Sequence, residues 1–192
     1  MKNILSIFSL LIIVSCGTTK TKDLVQKPTQ NPDIVENIEP CTGKDYATND
    51  EFLRATINYK HINATEGKRL AREFAVEALA SQIETIVSSV SDNYRKTVEL
   101  GSEQIYEARF ENLTRLVIDD SRIGYRLICE RNFTEKSTGK YIYYLTAEYS
   151  VADILESANE RISNDEVLKV DYDYEKFKQE FEKEMQRRRA QG

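Results

Sequence analysis

Two alternating segments joined by a short turn restrict the possible folds of this chain more than any other feature. Residues 123–133 and 141–149 each place apolar or aromatic side chains at every second position, with Arg131 as the exception, and this is the spacing of a strand with one buried face. The linking residues 135–139 end in Gly139, which can adopt the positive φ that a tight turn requires. Parallel strands need a much longer connection, so the sequence predicts an antiparallel hairpin.

The predicted hairpin has one inward face. On its first strand this face carries Ile123, Tyr125, Leu127, Cys129, Arg131 and Phe133. On its second strand the face carries Tyr141, Tyr143, Leu145, Ala147 and Tyr149, so Tyr144 points to the opposite side. A third alternating segment, residues 52–59, places Leu53, Ala55, Ile57 and Tyr59 on one side. These segments predict one antiparallel sheet of about three strands.

Apolar residues at helical spacing predict a long helix between the first strand and the hairpin. Its stripe consists of Leu70, Ala71, Phe74, Ala75, Ala78, Leu79, Ile83, Ile86, Val87 and Val90. Either Asn63 or Thr65 can cap its N-terminus. The polar residues 91–101 end at a glycine and predict a break. A second helix is predicted from the stripe Tyr106, Phe110, Leu113 and Val117.

Two more helices are predicted after the hairpin. The first covers residues 151–162, and the second is a charged helix of about residues 174–189 with the stripe Tyr174, Phe177, Phe181 and Met185. The predicted fold class is therefore α+β: a small antiparallel sheet packed against a long helix, with additional C-terminal helices.

The N-terminus has the pattern of an export signal. A short n-region with Lys2 precedes an apolar run at residues 4–14, which is too short to span a bilayer. The run ends in IVSC at residues 13–16, which resembles the bacterial lipobox. That resemblance implies cleavage before Cys16, a diacylglycerol thioether on its thiol and an acyl chain on the new amine. Three long acyl chains would hold the protein on a membrane almost irreversibly.

The predicted organisation has three parts. Residues 1–15 form the signal peptide, and residues 16–40 form the lipidated cysteine and a tether that would span about 25–30 Å. Residues 41–192 form a single domain. Gly17 follows the cysteine in place of the aspartate that signals inner-membrane retention, and residues 17–22 lack an acidic surface-export tag. The expected location is the periplasmic face of the outer membrane.

Three segments of the domain resemble the small Gram-negative lipoproteins of the LPP-twenty type. They are FLRAT at residues 52–56, AREFAVEALA at residues 71–80 and KYIYY at residues 140–144. The resemblance covers roughly residues 50–155 and implies a helix-on-sheet core similar to the dodecin fold. The family offers no catalytic residues that could be transferred to this chain.

Two cysteines, Cys41 and Cys129, remain once Cys16 is assigned to lipidation. An oxidising periplasm favours a disulfide between such a pair. However, the predicted position of Cys129 on the inward face is typical of a free buried cysteine. The sequence does not give the Cα separation that a bridge needs, so both states remain open.

Composition excludes several function classes. The chain has 27 basic and 32 acidic residues and a net charge of −5, whereas a nucleic-acid-binding domain usually has a basic excess. The single histidine, His61, excludes any metal or catalytic site that needs two. No cofactor other than the covalent lipid is predicted.

Two hypotheses for the function follow. The first is a non-enzymatic envelope lipoprotein, an interaction or structural module that binds a protein partner or self-associates. Its candidate contact residues are Tyr144, Phe177 and Phe181, with packing of the last helix onto its own sheet as the alternative for the two phenylalanines. The second is a small periplasmic hydrolase or ligand carrier. A deep pocket lined by carboxyl groups with raised pKa values would favour the second hypothesis.

Overall fold

The computed structural model describes residues 39–98 and 104–190. The predicted signal peptide (residues 1–15), the predicted lipidation site Cys16 and nearly all of the predicted tether lie outside the described residues. Among the helices that are described, none has the length and apolar character needed to cross a membrane.

The predicted α+β class is confirmed, with a three-stranded antiparallel sheet and several helices. The elements in chain order are β1 (Phe52–His61), α1 (Ala64–Thr97), α2 (Gln104–Gly124), β2 (Arg126–Thr134), β3 (Tyr141–Ser150), α3 (Val151–Asn164) and α4 (Tyr174–Arg189). Short 3-10 turns occur at Lys44–Tyr46 and Leu168–Val170.

The sheet has the order β1-β3-β2, so β3 lies in the centre and the other two strands form the edges. The pairing of β1 with β3 is continuous, from Phe52 opposite Ser150 to His61 opposite Tyr141. One side of the sheet, termed the helix side, packs against α1. Its buried residues are Leu53, Ala55, Tyr143, Leu145, Ala147 and Tyr149. The opposite side is termed the outer side.

The start of α1 lies very close to the sheet. Asn63 caps the helix by accepting a hydrogen bond from a backbone N–H of the first turn. The Tyr143 hydroxyl donates to the Ala64 carbonyl at 2.6 Å. A Cβ atom at Gly67 would lie 2.8 Å from side-chain carbons of both His61 and Tyr143. A glycine is therefore needed where α1 first crosses the sheet.

The predicted break at residues 91–101 is wrong for its first part, because α1 continues to Thr97. The helix has 34 residues and is about 51 Å long. Ser91 and Tyr94 prolong its buried stripe beyond Val90. The Tyr94 hydroxyl also donates to the Asp171 carbonyl at 3.2 Å. Tertiary contacts therefore stabilise the last turns of α1, although their polar composition predicted a break.

Several side chains predicted to be buried are exposed instead, among them Ile123, Phe74 and Phe133. Ile123 is 86% exposed, because α2 continues to Gly124 and the strand begins only at Arg126. Phe74 is 45% exposed. It lies beside β1, where its ring packs edge-on against Tyr59 with a centroid distance of 5.0 Å.

The last helix, α4, has the predicted bounds and packs against α1. Asp173 caps it by accepting a hydrogen bond from the Lys176 N–H. Phe177, Phe181 and Met185 are all at least 97% buried, and the Phe177 ring packs edge-on against Tyr94 at 5.5 Å. Phe177 and Phe181 therefore do not form an exposed interaction surface, and that prediction is corrected. The alternative is also corrected in part, since the helix packs on α1 rather than on the sheet.

Residues 39–51, termed the strap, lie against the outer side of the sheet. The Cys41 carbonyl accepts hydrogen bonds from the hydroxyls of Thr56 and Thr146, at 3.3 and 3.0 Å. The Thr48 hydroxyl accepts from the Arg54 N–H at 3.0 Å. The strap covers Thr146, which is therefore fully buried although its side chain lies on the outer side, away from α1.

Replacing Phe177 and Phe181 together by alanine tests the packing of α4. Removing a buried phenylalanine ring typically costs about 3–5 kcal/mol, so we expect urea unfolding of the full chain to show a loss of several kcal/mol. The control is Tyr174→Ala, because this ring is 38% exposed and its loss should cost less than about 1 kcal/mol. An unchanged unfolding midpoint in the double variant would contradict the described packing.

Candidate functional site

One extra residue in β2 determines which side chains reach each side of the sheet. Leu127 lies opposite Ala147, and Cys129 lies opposite Thr146, the neighbouring residue on β3. Ile128 has no counterpart in this register, so it forms a β-bulge. Strand side chains alternate between sides, and the bulge therefore reverses the predicted orientation of every residue from Cys129 to the end of β2.

The reversal places Cys129 on the outer side, where it forms a disulfide with Cys41 of the strap. The two Cα atoms are 5.6 Å apart, and the bridge joins positions 88 residues apart. The prediction that Cys129 lies on the inward face is wrong because a strict alternation cannot represent the bulge. In the chain-entropy model, closing a loop of this length stabilises the folded state by about 4–5 kcal/mol.

The same reversal places Glu130 on the helix side, where it meets two cations of α1. Lys68 Nζ lies 2.9 Å from Glu130 Oε1, and Arg72 Nη2 lies 2.7 Å from Glu130 Oε2. Burial raises the pKa of Glu130, but the hydrogen bonds from Arg72 and Lys68 outweigh this effect, so its pKa lies below the usual value. Glu130 therefore stays ionised at neutral pH.

Lys68 and Arg72 belong to an open groove of about 600 Å³ along the first half of α1. The groove, termed the α1 groove, also includes side chains from the end of α2 and the junction with β2. Its lining residues are Thr65, Lys68, Arg69, Arg72, Glu73, Val76, Glu77, Arg122 and Tyr125. It thus combines cations, carboxylates, one aliphatic side chain and one phenol.

The other cations of the groove are also paired with carboxylates. Arg122 Nη2 lies 2.9 Å from Glu77 Oε2. Arg69 contacts both Glu66 and Glu73, one turn away on either side along α1. The hydrogen bond from Arg69 lowers the pKa of Glu66. These pairs are solvent-exposed, and exposed pairs contribute only about 0–1 kcal/mol each.

This arrangement is suited to binding by exchange of ion pairs. A ligand that carries both signs of charge can replace Glu73 or Glu77 at the arginines while offering its own cation to the freed carboxylate. Because exposed pairs are weak, such an exchange has a low cost. Arginine guanidinium groups and the Tyr125 ring are side-chain types that are enriched in protein interfaces.

Tyr144 lies on the outer side, and its predicted orientation is confirmed by its position opposite Arg131 and Asn58. The ring is half-buried and packs edge-on against Phe133, with a centroid distance of 5.8 Å. The structure does not bring Tyr144 together with Phe177 or Phe181, which lie in the contact between α1 and α4. Its role as a contact residue stays a prediction.

Several carboxyl groups outside the groove also accept hydrogen bonds, either from another element or from within their own helix. Asp120 of α2 accepts hydrogen bonds from Ser157 and Arg161 of α3, at 2.6 and 2.7 Å. Glu184 of α4 accepts from Arg187 and Arg188. Burial raises the pKa of Asp120 and of Glu184, but these hydrogen bonds lower both below the usual range. Within residues 39–98 and 104–190, no group of three or more His, Cys, Asp or Glu side chains could hold a metal ion.

Sequence reasoning did not identify the α1 groove. The spacing of Lys68 and Arg72, four residues apart, does indicate that both side chains lie on one face of a helix. Glu130 gave no usable signal, because strict alternation assigns it to the outer side. Its position depends on Ile128 being extra, which a single sequence does not reveal.

Comparisons of the chain with protein-family models, with curated proteins and with solved structures found no match. The resemblance to the LPP-twenty lipoproteins and the similarity of the core to the dodecin fold stay predictions.

Proposed function

We propose that this chain is a lipid-anchored, non-enzymatic binding module of the cell envelope, held at the periplasmic face of the outer membrane. In this proposal Cys16 carries the lipid, the residues after it act as a tether, and the domain binds an envelope protein through the α1 groove.

The Cys41–Cys129 disulfide supports an exported protein. Disulfides persist in oxidising compartments, including the bacterial periplasm, and are rare in the cytosol. Both cysteines are more than 90% buried, so the bridge is shielded from solvent thiols. This agrees with the export signal proposed from residues 1–16.

The observation that carries the binding role is the α1 groove with its exchangeable ion pairs. It is open along the helix and includes both signs of charge together with Val76 and Tyr125. A polypeptide segment can complement such a groove, because it carries charged and apolar side chains along its length. The proposed ligand is therefore a protein segment of mixed charge.

The carboxyl groups favour binding over catalysis. A general acid at neutral pH needs a raised pKa. Among the described residues, the carboxyl groups whose pKa departs clearly from the usual value all have a lowered pKa. These are the carboxyl groups of Glu66, Asp120, Glu130, Glu135, Asp165 and Glu184. Arginine, lysine, serine or threonine side chains or backbone N–H groups hold these carboxylates in their ionised form.

A small-ligand carrier is the second candidate. The groove volume of about 600 Å³ lies within the range of small-molecule sites, about 300–1,000 Å³. Such sites usually enclose most of the ligand, whereas this groove is open along its length. The geometry therefore favours the protein segment.

Intact mass spectrometry of the membrane fraction tests the anchor. We expect a chain that begins at Cys16 and carries the added mass of the acyl groups. The variant Cys16→Ser cannot form the thioether, so it should leave the membrane fraction or accumulate as the uncut precursor. An unmodified chain in the membrane fraction, or one that begins elsewhere, would contradict the proposal.

Co-purification from membranes tests the groove. The variant Arg69→Ala plus Arg122→Ala removes two groove cations but leaves the pairs of Glu130 intact. We expect the recovery of a co-purifying protein to fall about tenfold, which corresponds to about 1.4 kcal/mol.

The matched control is Arg115→Ala plus Arg131→Ala, which removes two exposed arginines outside the groove. This control changes the net charge equally and should leave recovery unchanged. Equal losses in both variants would show that only the overall charge matters, and full recovery with the groove variant would also contradict the proposed site.

A further inference from the structure

The edge strand β1 is divided into a closed half and an open half. At its start, the Asn49 N–H donates to the Phe52 carbonyl at 3.0 Å, and the Phe52 N–H donates to Asn49 Oδ1 at 2.8 Å. The Arg54 N–H donates to the Thr48 hydroxyl at 3.0 Å. The strap therefore satisfies the outward backbone groups of Phe52 and Arg54.

The outward backbone groups of the second half, residues 55–61, have no hydrogen-bond partner among residues 39–98 and 104–190. The pairing of β1 with β3 is continuous, and in an antiparallel ladder every second residue directs its N–H and C=O away from the neighbouring strand. Because Arg54 points outward, Thr56, Asn58 and Lys60 do so too. All three are exposed, and no hydrogen bond from another described residue reaches their backbone atoms.

Aromatic side chains lie beside this open half on the helix side. Tyr59 stacks on His61 with a centroid distance of 6.0 Å. The half-exposed Phe74 of α1 packs edge-on against Tyr59 at 5.0 Å. An added strand would therefore gain apolar contacts as well as backbone hydrogen bonds.

We propose that a second copy of this chain pairs with the open half of β1, antiparallel and about a twofold axis at Asn58. The two sheets then form one continuous six-stranded sheet. Asn58 lies opposite Asn58 of the second copy, and Thr56 lies opposite Lys60 of the second copy. Each of these pairs can exchange both N–H···O bonds.

The limits of the open half favour a second copy over another extended peptide. The strap blocks β1 up to Arg54, and the chain leaves the strand after His61 to enter α1. The open half thus covers residues 55–61, and Asn58 is its central residue. A twofold axis at Asn58 places the open half of one copy opposite the open half of the other. The blocked Arg54 then lies opposite residue 62 of the second copy, which is no longer part of the strand.

The side chains in this register are also self-compatible. Lys60 meets Thr56 of the second copy rather than a like charge, and its own charge is paired with Glu135 at 3.2 Å. On the helix side, Ile57 meets Tyr59 of the second copy, and such aromatic–β-branched pairs stabilise sheets. The Phe74 rings of both copies lie on this same side.

Disulfide trapping of the full chain in membranes tests the register. Asn58→Cys places two thiols in a directly opposed pair, with Cα atoms about 5.5 Å apart, inside the range for a disulfide. The matched control Lys60→Cys separates the two new thiols by roughly 13 Å along the strands. With a mild oxidant we expect a covalent dimer from Asn58→Cys and at least tenfold less from Lys60→Cys.

Three results would overturn the proposal: no dimer from Asn58→Cys, equal dimer from both variants, or cross-linking of Asn58→Cys mainly to a protein of different mass. A second variant, Asn58→Pro, removes an outward N–H that β3 does not use, so the monomer should tolerate it. Sedimentation of the purified full chain should show a dimer for the wild type and a monomer for Asn58→Pro. A dimer that persists in Asn58→Pro would also contradict the proposal.

Discussion

The bulge at Ile128 is the constraint on which the rest of the domain depends. A regular strand would place Leu127 and Cys129 on one side, but the extra residue sends Leu127 toward α1 and Cys129 toward the strap. The same step turns Glu130 inward to Lys68 and Arg72. One unpaired residue therefore sets both the covalent attachment of the strap and the ion pairs that connect β2 to α1.

Elements whose apolar residues follow a simple period were predicted well. The stripe Phe177, Phe181 and Met185 and the cap Asp173 define α4, and its bounds are as predicted. The helix-side residues of β1 and β3 occupy every second position along each strand because the pairing of these strands is regular. In these elements the regular geometry of the helix or strand determines which side chains are buried, so the spacing of apolar residues in the sequence predicts the buried face.

The errors occur where tertiary contacts override the local pattern. The polar segment after Val90 remains helical because Tyr94 reaches the residues before α4. Phe74 follows the helical spacing but lies beside an edge strand, where no element of the described residues covers it fully. The α1 groove is lined by side chains from α1, from the end of α2 and from the junction with β2. It forms only when these elements pack together, so no single segment of the sequence predicts it.

The two proposed surfaces lie on opposite flanks of α1. Lys68 and Arg72 face β2 through Glu130, while Phe74 faces β1 through Tyr59. Since these strands are the two edges of the sheet, pairing of two copies at β1 leaves both α1 grooves open. A lipid-anchored dimer with two equivalent binding grooves is the assembly that these proposals imply together.

A peptide map of the protein isolated from membranes, digested without reduction, tests the central role of the bulge most directly. If Ile128 turns Cys129 to the outer side, the peptide that contains Cys129 should be recovered joined to the peptide that contains Cys41, and reduction should separate them. Recovery of Cys129 as a thiol that is alkylated only after unfolding would contradict the account, because it would place this cysteine in the core without its bridge.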